Sequence, residues 1–249
     1  MSPKKRRTLF QRVLRWGPWH YRFWREVIRR PYNWAFRTPA VVEVEPHFPG
    51  ASELRAKFSS FQAEAVETST GRPLPANHEI MPHQRTFFDH DQIPWQMVTL
   101  RAYGYDYPEN QARMPRMQDF LVRHPEVVSA AISVFPAGKH LRPHKGPFRG
   151  VWRYHLAYLV KELEGGGTAA ELTIDGKTYH LHEGDDLLWD DTFMHEAINR
   201  SDSPRIVLLL DVFRADHPWW LGWLSRLVLI AAQFGQRVGR MRERAALPG

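Results

Sequence analysis

Residues 186–213 read DLLWDDTFMHEAINRSDSPRIVLLLDVF. Three runs rich in Leu, Ile, Val and aromatic residues, at 186–189, 195–199 and 205–213, are parted by short polar stretches such as SDSP. Runs this short, closely spaced with turn residues between them, form the pattern of antiparallel strands rather than of buried helices. Upstream, Val127–Phe135, Val151–Val160, Ala169–Ile174 and Lys177–Leu181 repeat the texture, with PAG, EGGG and DG as separators. The hairpin signal is clearest in IDGK at 174–177, because Asp-Gly suits a two-residue turn with positive φ. The expected fold class is an all-β core, a sandwich or barrel, with flanking helices.

The helices are expected ahead of that core. Residues 8–36 read as basic, aromatic-rich helical pieces broken at Gly17-Pro18 and at Pro31, and 38–50 is a polar passage ending in Phe48-Pro49-Gly50. In SELRAKFSSFQAEAV (52–66), Leu54, Phe58, Phe61 and Ala65 fall at helical spacing behind Ser52 as a cap. The polar, Pro/His-rich stretch 67–94 reads as loop, with His78, His83 and His90 as candidate substrate contacts or solvated positions. WQMVTLRAYG (95–104) reads as a strand entering a turn, and MPRMQDFLVRH (114–124) as a short helix stopped by Pro125.

A chain of 249 residues supports one sizeable core with accessory ends. Without a single cysteine it has no disulfide, zinc finger, thiolate ligand or cysteine nucleophile, which suits a reducing compartment. Its net charge of +7 is unevenly spread. Residues 1–37 hold eleven Lys/Arg against one acid, residues 214–249 six against two, and the middle is acidic. Seven of the ten tryptophans lie in the same cationic ends: Trp16, Trp19, Trp24, Trp34, Trp219, Trp220 and Trp223. Trp mixed with Arg on amphipathic segments matches a lipid headgroup interface better than nucleic acid, because the indole body is apolar and its edge polar, with ends that simply pack on the core or a partner as the other alternative. The expected partners are therefore an anionic membrane surface and no nucleic acid.

Arg12 and Arg15 interrupt the only N-terminal apolar run, so a signal peptide is not expected. WWLGWLSRLVLIAAQFGQ, with Arg226 near its middle, reads as a helix lying in the interface, a span being the alternative. The organisation expected is a membrane-interface segment over 1–44, a folded domain over 45–214 and an amphipathic basic helix over 215–249.

Two histidines stand out. His144 follows a Pro-rich loop and precedes a strand, while His195 comes 51 residues later, after a short one. In a jelly roll, strands distant in sequence lie side by side, so this spacing can close a metal site. Arg153 and His155 alternate on one strand and share a face. Arg205 begins the last apolar strand, where a guanidinium needs an anionic partner. Cations converging on two candidate ligands suggest a small dicarboxylate held at a metal. His180 and His182 are expected at solvated strand or loop edges, Trp189 in the core, and Gly165–Gly167 in a turn.

HKGPFRGVWRYHLAYL and GDDLLWDDTFMHEAINRSDSPRIVLLLDVFR resemble the aspartyl/asparaginyl β-hydroxylase family. The likeness extends more weakly through ISVFPAGKHLRPH and WQMVTLRAYG to the Phe48-Pro49 helix, over roughly residues 45–214. It implies a double-stranded β-helix, a cupin-like jelly roll, acting with iron(II), 2-oxoglutarate and O2. By the same resemblance His144 and His195 are the iron ligands. Arg205 grips the distal carboxylate of 2-oxoglutarate, assisted by Ser133, and Arg153 and His155 contact the other carboxylate. Most iron(II) oxygenases add a carboxylate to two histidines. Gly146 stands where that carboxylate would be, as in the family's peptide hydroxylases, so a water held by Asp190 or Asp191 is expected to fill the place.

The family divides into peptide hydroxylases and bacterial lipid hydroxylases of the lipid A and ornithine lipid type. The Trp/Arg ends and RYHL favour a membrane lipid acyl chain, hydroxylated from the cytoplasmic face of the inner membrane. A peptide hydroxylase, a cytoplasmic location and a non-catalytic jelly-roll binding protein are the alternatives.

Overall fold

The computed structural model describes residues 18–71, 73–76, 91–164 and 167–238; His78, His83 and His90 lie outside them. Helix α1 (Pro18–Ala35) is followed by β1 (Val41–Val42), α2 (Ala51–Ala56) and α3 (Phe58–Ser69). Next come β2 (Gln96–Ala102), β3 (Tyr105–Asp106), α4 (Pro108–Gln111) and α5 (Pro115–Arg123). Strands β4 (Val127–Phe135), β5 (His140–His144), β6 (Val151–Leu159), β7 (Ala170–Ile174) and β8 (Lys177–His180) continue the chain. Finally β9 (Asp186–Trp189), β10 (His195–Asn199) and β11 (Arg205–Phe213) lead to α6 (Trp219–Val238).

The strands form two antiparallel sheets, ordered β1-β9-β6-β11-β4-β2-β3 and β5-β10-β7-β8. Residues from both, among them Phe135, Leu141, Leu172 and Trp189, share one apolar cluster, so the sheets close face to face as a jelly roll. The other face of the larger sheet is covered by α2, α3 and α5 through Leu54, Phe61 and Phe120. This two-sided burial explains the unbroken apolar run Ile206–Leu210 within β11. Ile206, Leu208 and Leu210 face the helices, while Arg205, Val207 and Leu209 face the space between the sheets.

A third cluster joins α1 and α6 to one end of the barrel through Tyr32, Phe36, Phe148 and Leu221. Tyr32 Oη lies 2.8 Å from Ser225 Oγ, bonding one helix to the other. Arg214 is fully buried, with its guanidinium 4.0 Å from the Phe36 ring and 3.7 Å from the Trp152 ring. It also pairs with Asp216 at 2.8 Å, which offsets part of the cost of burying the charge.

Several expectations need correction. Pro31 does not break a helix, because α1 runs through it. The lost N–H is outweighed by the packing of Tyr32 and Phe36. The helix expected over 52–66 is two helices meeting at Lys57 (φ −112°), and its cap position is Gly50. Ser52 Oγ instead donates to the Pro49 carbonyl at 2.8 Å. The stretch before His144, expected as a Pro-rich loop, is strand β5, which His144 ends and which tolerates Pro143 as an edge strand. The Asp-Gly hairpin is as expected, with Asp175 and Gly176 at φ 49° and 82° between β7 and β8.

Candidate active site

The register of β5 against β10 sets His144 opposite His195, and their ring centroids lie 4.1 Å apart. Each ring is oriented by its own chain. His144 Nδ1 donates to the Arg142 carbonyl at 2.8 Å, and His195 Nδ1 to the Phe193 carbonyl at 2.9 Å. With Nδ1 protonated, the lone pair sits on Nε2, the tautomer a metal takes. Burial pushes the His144 pKa down to about 4, opposed by the Arg142 carbonyl and aided by the charge of Arg153. Burial, and then His144 itself, holds His195 well below its ordinary value. Both imidazoles are therefore neutral near pH 7, as ligation requires. Among the described residues no third His, Cys, Asp or Glu joins them in a metal-holding group.

Gly146 explains part of that. A Cβ on it would lie 2.0 Å from the Asp191 carboxyl carbon, so any side chain at 146 collides with Asp191. The two residues are also joined by Gly146 N–H donating to the Asp191 carbonyl at 2.6 Å. Asp191 is buried beside Arg153 at 3.0 Å, and burial, against that cation, raises its pKa to about 7. Its neighbour Asp190 is differently placed. One Asp190 oxygen accepts from Arg149 Nε at 2.8 Å, and the other from the Thr192 N–H and hydroxyl at 3.0 and 2.6 Å. Of the two acids, Asp190 is consumed in loop structure and Asp191 reaches the place that Gly146 leaves.

Behind the histidines lies a pocket of about 450 Å³, its mouth included, lined by Ser133, Arg153, His155 and Arg205 among apolar side chains. Arg205 is buried without a carboxylate partner among the described residues. Among the described residues its Nε has no hydrogen-bond partner, its guanidinium lies 5.5 Å from the Phe135 ring, and Nη1 donates a long 3.4 Å bond to the Glu171 carbonyl. Burial lowers its pKa to about 10. An unpaired buried guanidinium is costly, and an entering anion relieves it. Among the described residues both ring nitrogens of buried His155 also lack hydrogen-bond partners. Ser133 Oγ accepts from Trp95 Nε1 at 2.8 Å, and Arg153 Nε donates to Asp211 at 2.9 Å. These features fit a divalent metal with a small dianion beside it: two neutral, oriented imidazoles and an orphaned cation share one pocket.

Two other histidines singled out in the sequence, His180 and His182, stay outside the site. His182 is exposed and pairs with Glu162 at 2.9 Å, and His180 ends β8 at the surface. Trp189 is core, with its ring 4.5 Å from His195 and 5.6 Å from His155.

Residues of α1 that sequence reading passed over also reach the site. Arg29, buried on the inward side, donates through Nη2 to the Gly146 carbonyl at 2.5 Å and to the Thr192 carbonyl at 3.3 Å. Asn33 Oδ1 accepts from Arg149 at 2.8 Å. Nothing local marks Arg29 among eleven neighbouring basic residues, because its partners lie 117 and 163 residues away. The one available signal is periodic: Arg29 and Tyr32 share one side of α1, and Phe36, just past its end, continues the spacing.

A family model described as Aspartyl/Asparaginyl beta-hydroxylase matches residues 55–215. An "Ornithine lipid ester-linked acyl 2-hydroxylase" of Rhizobium tropici is 30% identical over 165 residues, 66% of this chain and 57% of that protein. The human "Aspartyl/asparaginyl beta-hydroxylase" is 27% identical over 129 residues, 50% of this chain and 16% of that protein. The matched stretch thus spans less than two thirds of either relative. Among solved structures, a "predicted oxalate decarboxylase" from Thermotoga maritima overlaps 37% of this chain and 71% of its own, at 18% identity and a TM-score of 0.30.

Proposed function

Because this chain belongs to the aspartyl/asparaginyl β-hydroxylase family, we propose that it is an iron(II)- and 2-oxoglutarate-dependent dioxygenase hydroxylating the acyl chain of a membrane lipid. His144 and His195 hold the metal, and the observation that carries the reading is their facing pair of Nδ1-anchored rings in one pocket with Arg205, which has no carboxylate partner among the described residues. When bound, iron with 2-oxoglutarate and O2 supplies oxidative decarboxylation to succinate and hydroxylation of an unactivated C–H. Arg205 receives the distal carboxylate of the cosubstrate, with Ser133 beside it. Arg153 and His155, on the pocket face of β6, orient the other end. Trp189 and the apolar walls exclude water from the two imidazoles. Asp191, crowded against Gly146, holds a water on the side where other iron oxygenases place a carboxylate.

A lipid is favoured by the longer match to the rhizobial acyl hydroxylase and by the Trp/Arg-rich terminal helices. No helix among the described residues is long and apolar enough to cross a membrane. The chain works as a peripheral protein on the cytoplasmic face of the inner membrane, where anionic lipid attracts basic segments. Gly146 favours a second reading, a peptide β-hydroxylase, since that branch shares the glycine.

Purified protein with iron(II), 2-oxoglutarate and detergent-dispersed lipid is expected to form succinate, and extracted lipid to gain one oxygen. Lipid extracts of cells with and without the gene should differ by the same mass. Succinate formation coupled to a soluble peptide but to no lipid would transfer the activity to the peptide reading.

A further inference from the structure

Helix α6 carries apolar residues on both sides, one packed on the barrel and the other facing outward. Leu221 and Ser225 are buried against the barrel, while Trp219, Trp223, Leu227 and Ile230 are 79, 59, 60 and 61% exposed. These four positions, with exposed Arg226 among them, form one continuous helical stripe. Helix α1 extends it: Trp34, 80% exposed, lies 6.3 Å from Trp220, and Arg30, one turn before Trp34, is exposed as well. A contiguous exposed apolar stripe marks a docking surface.

We propose that the outward faces of α1 and α6 form one surface that docks on an anionic bilayer. This rests on the lipid reading and names the surface through which substrate is reached. Charge selects the occupant. Helix α6 contains no acidic residue and α1 contains one, Glu26, which is paired with Arg29 at 3.1 Å. A second copy docking by two-fold symmetry would set these cationic helices against each other, whereas anionic headgroups complement them. Trp at the margin with Leu and Ile along the stripe suits the headgroup–acyl boundary.

The test is flotation of the full chain with phosphatidylcholine vesicles, with and without phosphatidylglycerol, beside the double variant Leu227→Glu, Ile230→Glu. Wild type is expected to float with anionic vesicles, and the double variant, equally folded, to bind at least about tenfold more weakly. Equal binding by both, or wild-type dimers that the variant abolishes without any vesicle binding, would overturn the docking surface. Turnover of detergent-dispersed lipid separates the two ideas. Docking without succinate formation sinks the hydroxylase reading alone, and succinate formation without docking sinks the surface alone.

A different observation carries a second inference. The geometry points to Arg29 as a positioning residue for the metal site. One guanidinium ties the Gly146 loop, two residues past His144, to Thr192, three residues before His195. It thereby fixes the spacing of the two ligands from a helix that also bears the docking face. Co(II) titration of Arg29→Lys and Arg29→Met tests it, read by calorimetry and by the visible spectrum. Affinity is expected to fall in the order wild type, Lys, Met, the last by about tenfold or more, because a lysine cannot reproduce the forked geometry. Wild-type affinity and spectrum in a folded Arg29→Met would overturn the role. If that variant does not fold, unchanged affinity in Arg29→Lys does so.

Discussion

Strand β11 and helix α6 adjoin in the chain and are the two most apolar segments of its C-terminal third, yet they use their hydrophobicity in opposite ways. In β11, Ile206, Leu208 and Leu210 are completely buried, and Val207 and Leu209 line the pocket wall. In α6 the largest apolar side chains point outward. Hydrophobicity in the first segment stabilises the fold, and in the second the stripe of Trp219, Trp223, Leu227 and Ile230 is surplus to the fold, while Leu221 packs on the barrel. Substitutions in the two segments should therefore separate stability from function.

The largest effect is expected at Leu208, where truncation to alanine should cost about 2–5 kcal/mol in chemical denaturation. A loss below about 1 kcal/mol would mean that the two-sided packing of β11 is not what holds the sheets. At the start of the same strand the sign should reverse. Arg205→Met removes an unpaired buried cation and is expected to stabilise the metal-free protein by about 1–4 kcal/mol. The same variant should raise the KM for 2-oxoglutarate by about a hundredfold or more, since a buried charge-assisted bond is lost. If it destabilises the protein instead, Arg205 belongs to the fold rather than to a ligand.

The pH dependence is smaller and its sign follows from burial. His144 has a folded pKa of about 4, below its unfolded value, so its contribution is present above pH ~6.5 and is lost as pH falls through ~4. Metal-free protein should lose stability in that window, and His144→Gln should flatten the loss. Asp191 runs the other way. Its folded pKa of about 7 lies above the unfolded value, so its contribution is present below pH ~4 and is lost as pH rises through ~7. Asp191→Asn should therefore make the protein relatively more stable near neutrality, measured against wild type from pH 5 to 8. The smallest stability change belongs to the stripe: Leu227→Glu should stay within about 0.5 kcal/mol of wild type by thermal unfolding. A larger loss would place α6 in the core after all.

The strands from 127 onward were legible because Val, Ile and aromatic runs bounded by Gly, Pro and Asp obey a short-range rule. The Asp175-Gly176 turn was legible for the same reason. Strand β5 was not, since HLRPH has one buried apolar residue, Leu141, and exists as a strand because β10 offers it a partner. The break at Lys57 and the continuity of α1 through Pro31 were likewise set by what the helices pack against. Asp190 and Asp191 were indistinguishable as neighbours in sequence. Only the contact of Asp191 with Gly146, 45 positions away, tells them apart.

The amino-acid sequence alone determined the antiparallel strand pattern, the segregation of cationic and aromatic residues into the ends, and the residue types from which a metal and dianion pocket can be built. These follow from local periodicity and composition, which act over a few residues. Tertiary structure alone decided that His144 meets His195, that Arg205 finds no counter-charge among the described residues, and that Arg29 reaches back from α1 to the loops beside both histidines. Those are contacts between segments more than a hundred residues apart or across a sheet. They exist only once burial of the two faces of the large sheet has brought the elements together.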